Sequence, residues 1–295
     1  MDICLSLDGG GVKGIIQTVI LNELEQELNI PLHKIFDCYA GTSVGSVICS
    51  SIGICKNPMS SMIKFMESNN ISQIFTEWRE LFVLPFQRPT YSGKGKSKFL
   101  YEIFGEIRMC DTDKIIIIPG FDLCQNKSIM FNSLHCYDYP LWKIIDGCTA
   151  APTFFPSVEL SDGKVIIDAG GSVNDPSICM YVEMLKLGKT NYKLLSIGNG
   201  INPPYGKCAS AKKYNGLFEW VSTGDLINVL TDTSIVDHQC KTILGDNYLR
   251  INNNLDFGAD YKLDNCNPNN IEALFKNGKH WWNINKVDIM KFLLY

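Results

Sequence analysis

A serine between two glycines, in Gly41-Thr42-Ser43-Val44-Gly45, has the type and setting of a nucleophile. It falls where an apolar run gives way to a helix-like pattern. Glycines there let the backbone turn sharply enough to lift the Ser43 hydroxyl above a strand end, the arrangement called a nucleophile elbow. The competing reading is an ordinary serine cap on a helix. Gly9-Gly10-Gly11-Val12-Lys13-Gly14 is a second such group. It fits the G-x-G-x-x-G of a dinucleotide-binding turn. Yet Asp8, directly before it, would repel a pyrophosphate, and no acidic strand end follows about 20 residues on. The same exposed amides could instead form an oxyanion hole, meeting the charge that develops on an attacked carbonyl. A tight turn that needs glycine for positive φ is the plainest use of the loop.

A serine hydroxyl needs a proton acceptor. The chain has four histidines, His33, His135, His238 and His280. The order Ser43, Asp168, His238 matches that of an α/β-hydrolase triad, but His238 lies inside a helix-like stretch with no loop to aim its ring. Asp168 ends the apolar run Val165-Ile166-Ile167 and precedes Ala169-Gly170-Gly171. It is therefore expected at the carboxyl edge of a sheet, beside Ser43 and the glycine loop. A lone carboxylate can take the serine proton if burial raises its pKa; otherwise Asp168 is a turn aspartate bonded to its own loop.

The elements that must position these groups read as strands at Ile3–Leu7, Ile35–Ala40, Ile115–Ile118, Ile129–Asn132, Val165–Ile167 and Lys193–Ile197. Helical patterns separate them, with apolar residues three to four apart from Ile15 to Leu28 and an apolar run from Val47 to Ile54. That alternation predicts a parallel, helix-covered sheet. Residues 85–98 hold Pro85, Pro89, Gly93 and Gly95 with the cations Arg88, Lys94, Lys96 and Lys98, which predicts a mobile loop. Residues 217–250 read as mainly helical, and the last residues, from Ile289, as a helix packed on the core.

With 295 residues, 45% apolar and 20% charged, the chain can form one large globular domain or two modest ones. Its 27 basic and 31 acidic residues give a net charge of −4 and no basic footprint for nucleic acid. Twelve cysteines without a C-x-x-C pair argue against a zinc ribbon or redox motif and are expected as free thiols in a reducing compartment. The N-terminus lacks the pattern of a signal peptide, and no uncharged apolar run reaches the ~18 residues of a membrane span. The expected location is the cytoplasm, with peripheral membrane contact.

Four blocks carry a more specific signal: S-L-D-G-G-G-V-K-G (6–14), G-T-S-V-G (41–45), T-A-A-P-T-F-F-P (149–156) and I-D-A-G-G-S-V-N-D-P (167–176). In this order they resemble the patatin-like phospholipase family, as does the stretch from Trp220 to Ile251. The resemblance implies a three-layer α/β/α fold with a mostly parallel central sheet, a nucleophile elbow and a helical C-terminal part. It implies a lipid acyl hydrolase with Ser43 as nucleophile and Asp168 as proton acceptor. Gly9, Gly10, Gly11, Val12, Lys13 and Gly14 fall in the oxyanion hole, Gly41, Thr42, Val44 and Gly45 in the elbow, and Ala169 and Gly170 in the Asp-Ala-Gly motif. No metal or cofactor is implied. The expected substrate is a phospholipid or acylglycerol met at a lipid surface, with Arg88, Lys94 and Lys96 as lipid contacts near Phe86, Tyr91 and Phe99. Two positions depart from the family: Lys13 replaces its usual arginine and loses the planar fork, and Ala169 replaces a glycine, tolerable if φ is negative there. The expected organisation is a catalytic domain over 1–181 with a mainly helical extension over 182–295. Rival readings are a triad esterase using His238 and a catalytically silent lipid-binding module.

Overall fold

The computed structural model describes residues 1–78, 88–201 and 225–294. The unit strand, glycine turn, helix occurs twice at the start: β1 (Asp2–Leu7) leads to α1 (Gly14–Leu28), and β2 (Cys38–Gly41) to α2 (Val44–Gly53). Then follow α3 (Met59–Met66), the single turn α4 (Ser68–Ile71), α5 (Lys94–Phe104), the hairpin β3 (Ile115–Asp122) and β4 (Lys127–Asn132), and α6 (Leu141–Cys148). The short β5 (Val158–Glu159), β6 (Val165–Asp168), α7 (Ser177–Lys186) and β7 (Tyr192–Ile197) precede α8 (Asp225–Leu230), α9 (Ser234–Leu244), β8 (Tyr248–Ile251) and α10 (Pro268–Leu294). One sheet orders the strands β5-β6-β3-β2-β1-β7-β8, with β4 attached to β3.

Successive side chains of a strand point to opposite faces, and here both faces are apolar. Leu5, Leu7, Tyr39, Ile116, Ile118 and Leu195 join the larger core with residues of α1, α2, α6 and α10. Their neighbours Cys4, Cys38, Ala40, Ile117 and Leu194 form a second core with Met180 and Met184 of α7 and Cys240 of α9. Each buried Leu or Ile contributes about 1.5–3 kcal/mol, so the strands are held from both sides. The result is the three-layer α/β/α arrangement with a mostly parallel sheet.

The register explains how the site is assembled. β1, β2, β3, β7 and β8 are mutually parallel, whereas β6 runs antiparallel to β3, with Gly120 opposite Asp168. A strand has two hydrogen-bonding edges. β4 takes one edge of β3 over Ile117–Asp122, so β2, paired at Ile115–Ile117, and β6, paired at Gly120–Asp122, share the other. They run toward each other along it. Ala40 lies opposite Ile117; counting on to Gly120 on β3 and to Ser43 past β2 brings Ser43 level with Asp168.

Several expectations are revised. Asp168 reaches the site from an antiparallel strand entering from beyond the parallel strands' ends. β4 is a half-exposed hairpin strand. Within 85–98, residues 85–87, including Phe86, lie outside the described residues; the rest is pinned rather than loose, since Thr90 and Tyr91 donate to the carbonyls of Thr153 and Phe154 and α5 starts at Lys94. Of the stretch 217–250, residues 217–224, including Trp220, lie outside the described residues, and Tyr248–Ile251 is a strand. The central sheet runs across the expected boundary at 181/182, with β7 paired to β1 along its whole length and β8 continuing the sheet. Cys110 and Cys136 form a disulfide rather than two free thiols. The final helix packs as expected, with Trp281 and Ile289 fully buried. No helix among the described residues is long and apolar enough to cross a membrane.

Candidate active site

Ser43 sits between the end of β2 and the start of α2 with φ 52° and ψ −124°, a conformation that costs a non-glycine residue ~1–3 kcal/mol. The surroundings enforce it. Amides of Gly45 and Ser46 donate to the carbonyls of Thr42 (2.8 Å) and Ser43 (2.9 Å), and the Thr42 amide donates to Leu7 (3.1 Å). The turn is also crowded: a Cβ on Gly45 would lie 2.4 Å from the Leu7 carbonyl oxygen. Ser43 occupies the residue before α2, but its hydroxyl makes no capping bond. It lies with the Asp168 carboxyl in the wall of one cavity and favours that group's ionised form.

Asp168 is buried. Its amide donates to the Ala150 carbonyl at 3.1 Å, and its Oδ1 accepts the Gly170 amide at 2.7 Å. Burial raises its pKa; the Ser43 hydroxyl, the Gly170 amide and the charge of Lys96 pull it back. The loop after β6 is stitched to both other parts of the site. Thr42 Oγ1 donates to the Val173 carbonyl at 2.7 Å, and the Gly9 amide donates to the Asn174 carbonyl at 3.1 Å. Ala169 is not at positive φ, so its methyl is accommodated.

Of the six residues from Gly9 to Gly14, only part presents free donors. Gly9 is bonded as above, Val12 donates to the Leu263 carbonyl, Lys13 to that of Gly10, and Gly14 to those of Gly11 and Val12. Among the described residues the amides of Gly10, Gly11 and Val44 take no partner. Gly11 has φ +57°, and a Cβ there would lie 2.1 Å from the Leu263 carbonyl oxygen, so glycine is required twice over. The Lys13 side chain is buried in the cavity wall near Asp8 and Asp260, and burial lowers its ammonium to about 8.

Beneath the loop, Arg250 of β8 clamps both oxygens of Asp8, at 2.7 and 2.5 Å, and contacts Asp175 at 3.2 Å. Burial pushes Asp8 up to about 7 against the pull of Arg250. This clamp explains the acidic residue that argued against a nucleotide: Asp8 is an anchor for the loop, already neutralised from below.

Ser43, Asp168 and the free amides open into a cavity of about 570 Å³ whose wall includes Met66, Phe75, Phe99, Phe121, Phe155 and Leu230. An apolar cleft with a few convergent polar groups is the usual form of a small-molecule site. The model of the patatin-like phospholipase family matches residues 5–177, spanning all four sequence blocks. The chain belongs to this family. Patatin-08 and Patatin-05 of Solanum tuberosum are each 27% identical to it over 321 residues, covering 94% of this chain and 82% of theirs. Among solved structures, human GIVD cytosolic phospholipase A2 matches with a TM-score of 0.56 at 9% identity, over 99% of this chain and 60% of that one, a likeness of fold.

This patatin-like phospholipase leaves some expected residues out of the cleft. His238 is exposed on α9, and none of the four histidines lines the cavity. Arg88 lies over the Trp78 ring and Lys94 is exposed, while Lys96, expected as a surface lipid contact, is buried in the cavity wall and ion-paired with Asp146 at 2.9 Å. Sequence reasoning missed Arg250, Asn174 and Asn199. Asn174 donates to the Thr231 carbonyl and Asn199 to that of Asp8. Arg250 lay within a stretch already noted as family-like; for the asparagines nothing local marked the role.

Proposed function

We propose that the protein is a carboxylic ester hydrolase that cleaves acyl esters of phospholipids or acylglycerols through a Ser43–Asp168 dyad. The family supports a hydrolase acting on lipid esters. The observation that carries the dyad is strained Ser43, lifted from the strand end and brought level with buried Asp168 in the wall of one largely apolar cavity. Ser43 Oγ attacks the ester carbonyl while Asp168 accepts its proton. Amides of Gly10, Gly11 and Val44 hold the oxyanion, helped by the N-terminus of α2. Collapse of the tetrahedral intermediate breaks the acyl–oxygen bond, and the proton on Asp168 goes to the leaving alcohol. Water then attacks the acyl-enzyme, giving its proton to Asp168; Ser43 recovers a proton as the fatty acid leaves.

Substrate reaches the cleft from a lipid surface. The cavity's apolar wall extends to Leu226, Ile227 and Leu230 of α8, which are also partly exposed, and Val229 of the same helix is 63% exposed. Such a rim suits the acyl boundary of a membrane. The test is to incubate wild type, Ser43→Ala and Asp168→Asn with a mixed phospholipid and glyceride panel and identify released fatty acids by mass spectrometry. Both variants should lose release by several orders of magnitude, with His238→Ala close to wild type. Full release by Ser43→Ala, or a fluorophosphonate adduct on another residue, would sink the reading.

A further inference from the structure

Lys96 is a buried, charged side chain in the wall of the cavity that holds Ser43 and Asp168, and the mechanism above does not use it. Its Nζ donates to the Asp146 carbonyl and to Thr149 Oγ1 (3.0 Å) and pairs with Asp146 Oδ1 at 2.9 Å. Asp146 Oδ2 accepts the Ser97 hydroxyl at 2.7 Å, so the pair is locked from both sides. The ammonium stands 4.9 Å from the centre of the Phe155 ring. Thr149 precedes Ala150, whose carbonyl accepts the Asp168 amide. Lys96 therefore grips the backbone that holds Asp168, and its ammonium lies in the wall of the same cavity.

We propose that Lys96 is a positioning residue for Asp168: its fixed ammonium keeps the Asp168 carboxyl ionised and ready to accept the Ser43 proton inside an apolar cleft. This role rests on the dyad reading. Burying a carboxylate favours its neutral form, and an opposite charge nearby favours the ionised one. The groups facing Asp168 are the Ser43 hydroxyl, the Gly170 amide, Lys96 from α5 and the Cys148 thiol ending α6. Cys148 is held neutral by burial and by Asp168 itself. Among these groups Lys96 is the one cation. Burial pulls the Lys96 ammonium down, and Asp146 and Asp168 oppose that fall. Asp146 is then the residue that makes a buried lysine tolerable, and Asp168 the residue on which its charge acts.

A plain strut and an electrostatic partner give different pH profiles. The measurement is kcat/KM against pH for a soluble short-chain nitrophenyl ester, which reports ionisations of the free enzyme. Lys96→Met removes the cation and should move the acid limb up by about one pH unit. Asp146→Asn removes the carboxylate that opposes loss of the Lys96 proton, so its limb should also move up, by no more than in Lys96→Met. Because an unpaired Asp146 could unfold Lys96→Met, the double variant Lys96→Met/Asp146→Leu replaces the pair by apolar side chains, which folds tolerate; its limb should also move up. An unmoved limb in Lys96→Met and in the double variant, with only the rate lowered, would mark a plain strut and overturn the proposal. Full activity in Asp168→Asn would remove the dyad itself, a distinct failure, since an enzyme that needs Asp168 but ignores Lys96 overturns only the role given to Lys96.

Discussion

Asp168 must be ionised to take the Ser43 proton, which sets the sign of the pH response. Burial raises its pKa above the ordinary 3.8. Activity should therefore fall, as pH drops, through a value above 3.8, and no histidine limb should appear in His238→Ala difference profiles. An acid limb at or below 3.8 would contradict the buried base. Gly11→Ala tests the loop: a Cβ meets the Leu263 carbonyl and the backbone is at φ +57°, so the Gly11 amide must move. Loss of one oxyanion donor costs ~10²–10³ in rate, and kcat should drop by that order with KM little changed. These groups were legible in the sequence because turn chemistry is local: glycines around a serine, or after an aspartate, announce a backbone that must bend there. Lys96 was misread for the complementary reason. In a glycine- and lysine-rich stretch it looks like its exposed neighbours Lys94 and Lys98, and its partner lies 50 residues away at Asp146.

The elements show the same division. Alternating strands and helices were readable from periodicity, but period two carries no direction, so nothing local told β6 to run against its neighbours. That direction lets Asp168 face Ser43 along one edge of β3. Likewise β8 is only four residues long, and its Arg250 meets Asp8 across 242 positions of sequence. The clamp joins β1, β8 and the start of α7, since Asp175 Oδ1 also accepts the Ser177 amide. Arg250→Met would leave two buried carboxylates without their cation. Breaking a buried pair from one side costs ~3–5 kcal/mol, so the urea midpoint should fall correspondingly. Adding Asp8→Asn should recover part of that loss, because one stranded charge is gone. A loss below about 1 kcal/mol would mean that water reaches the clamp and that it does not hold the loop.

At the scale of the molecule, the four sequence blocks end by residue 176, which suggested a catalytic domain closing near 181. The sheet argues for one folding unit. Without residues 182–295, β1 would lose β7, with which it is in register from Asp2–Tyr192 to Leu7–Ile197, and the strand that carries the glycine loop would become a bare edge open to pairing with other chains. α1 would lose its cover as well. Gly278 of α10 approaches so closely that a Cβ there would lie 2.6 Å from Val19 Cβ, and Trp281, fully buried on the same helix, would be missing from the larger core. Asp8 and Asp175 would lose Arg250, and the Asp8 carbonyl its bond from Asn199. A fragment of residues 1–181 is therefore expected to show no cooperative thermal transition, to bind a hydrophobic dye and to leave Ser43 unlabelled by fluorophosphonate at concentrations that label the whole chain. A fragment with a sigmoidal melt and a reactive Ser43 would restore the two-unit organisation and reduce β7, β8 and α10 to an accessory layer.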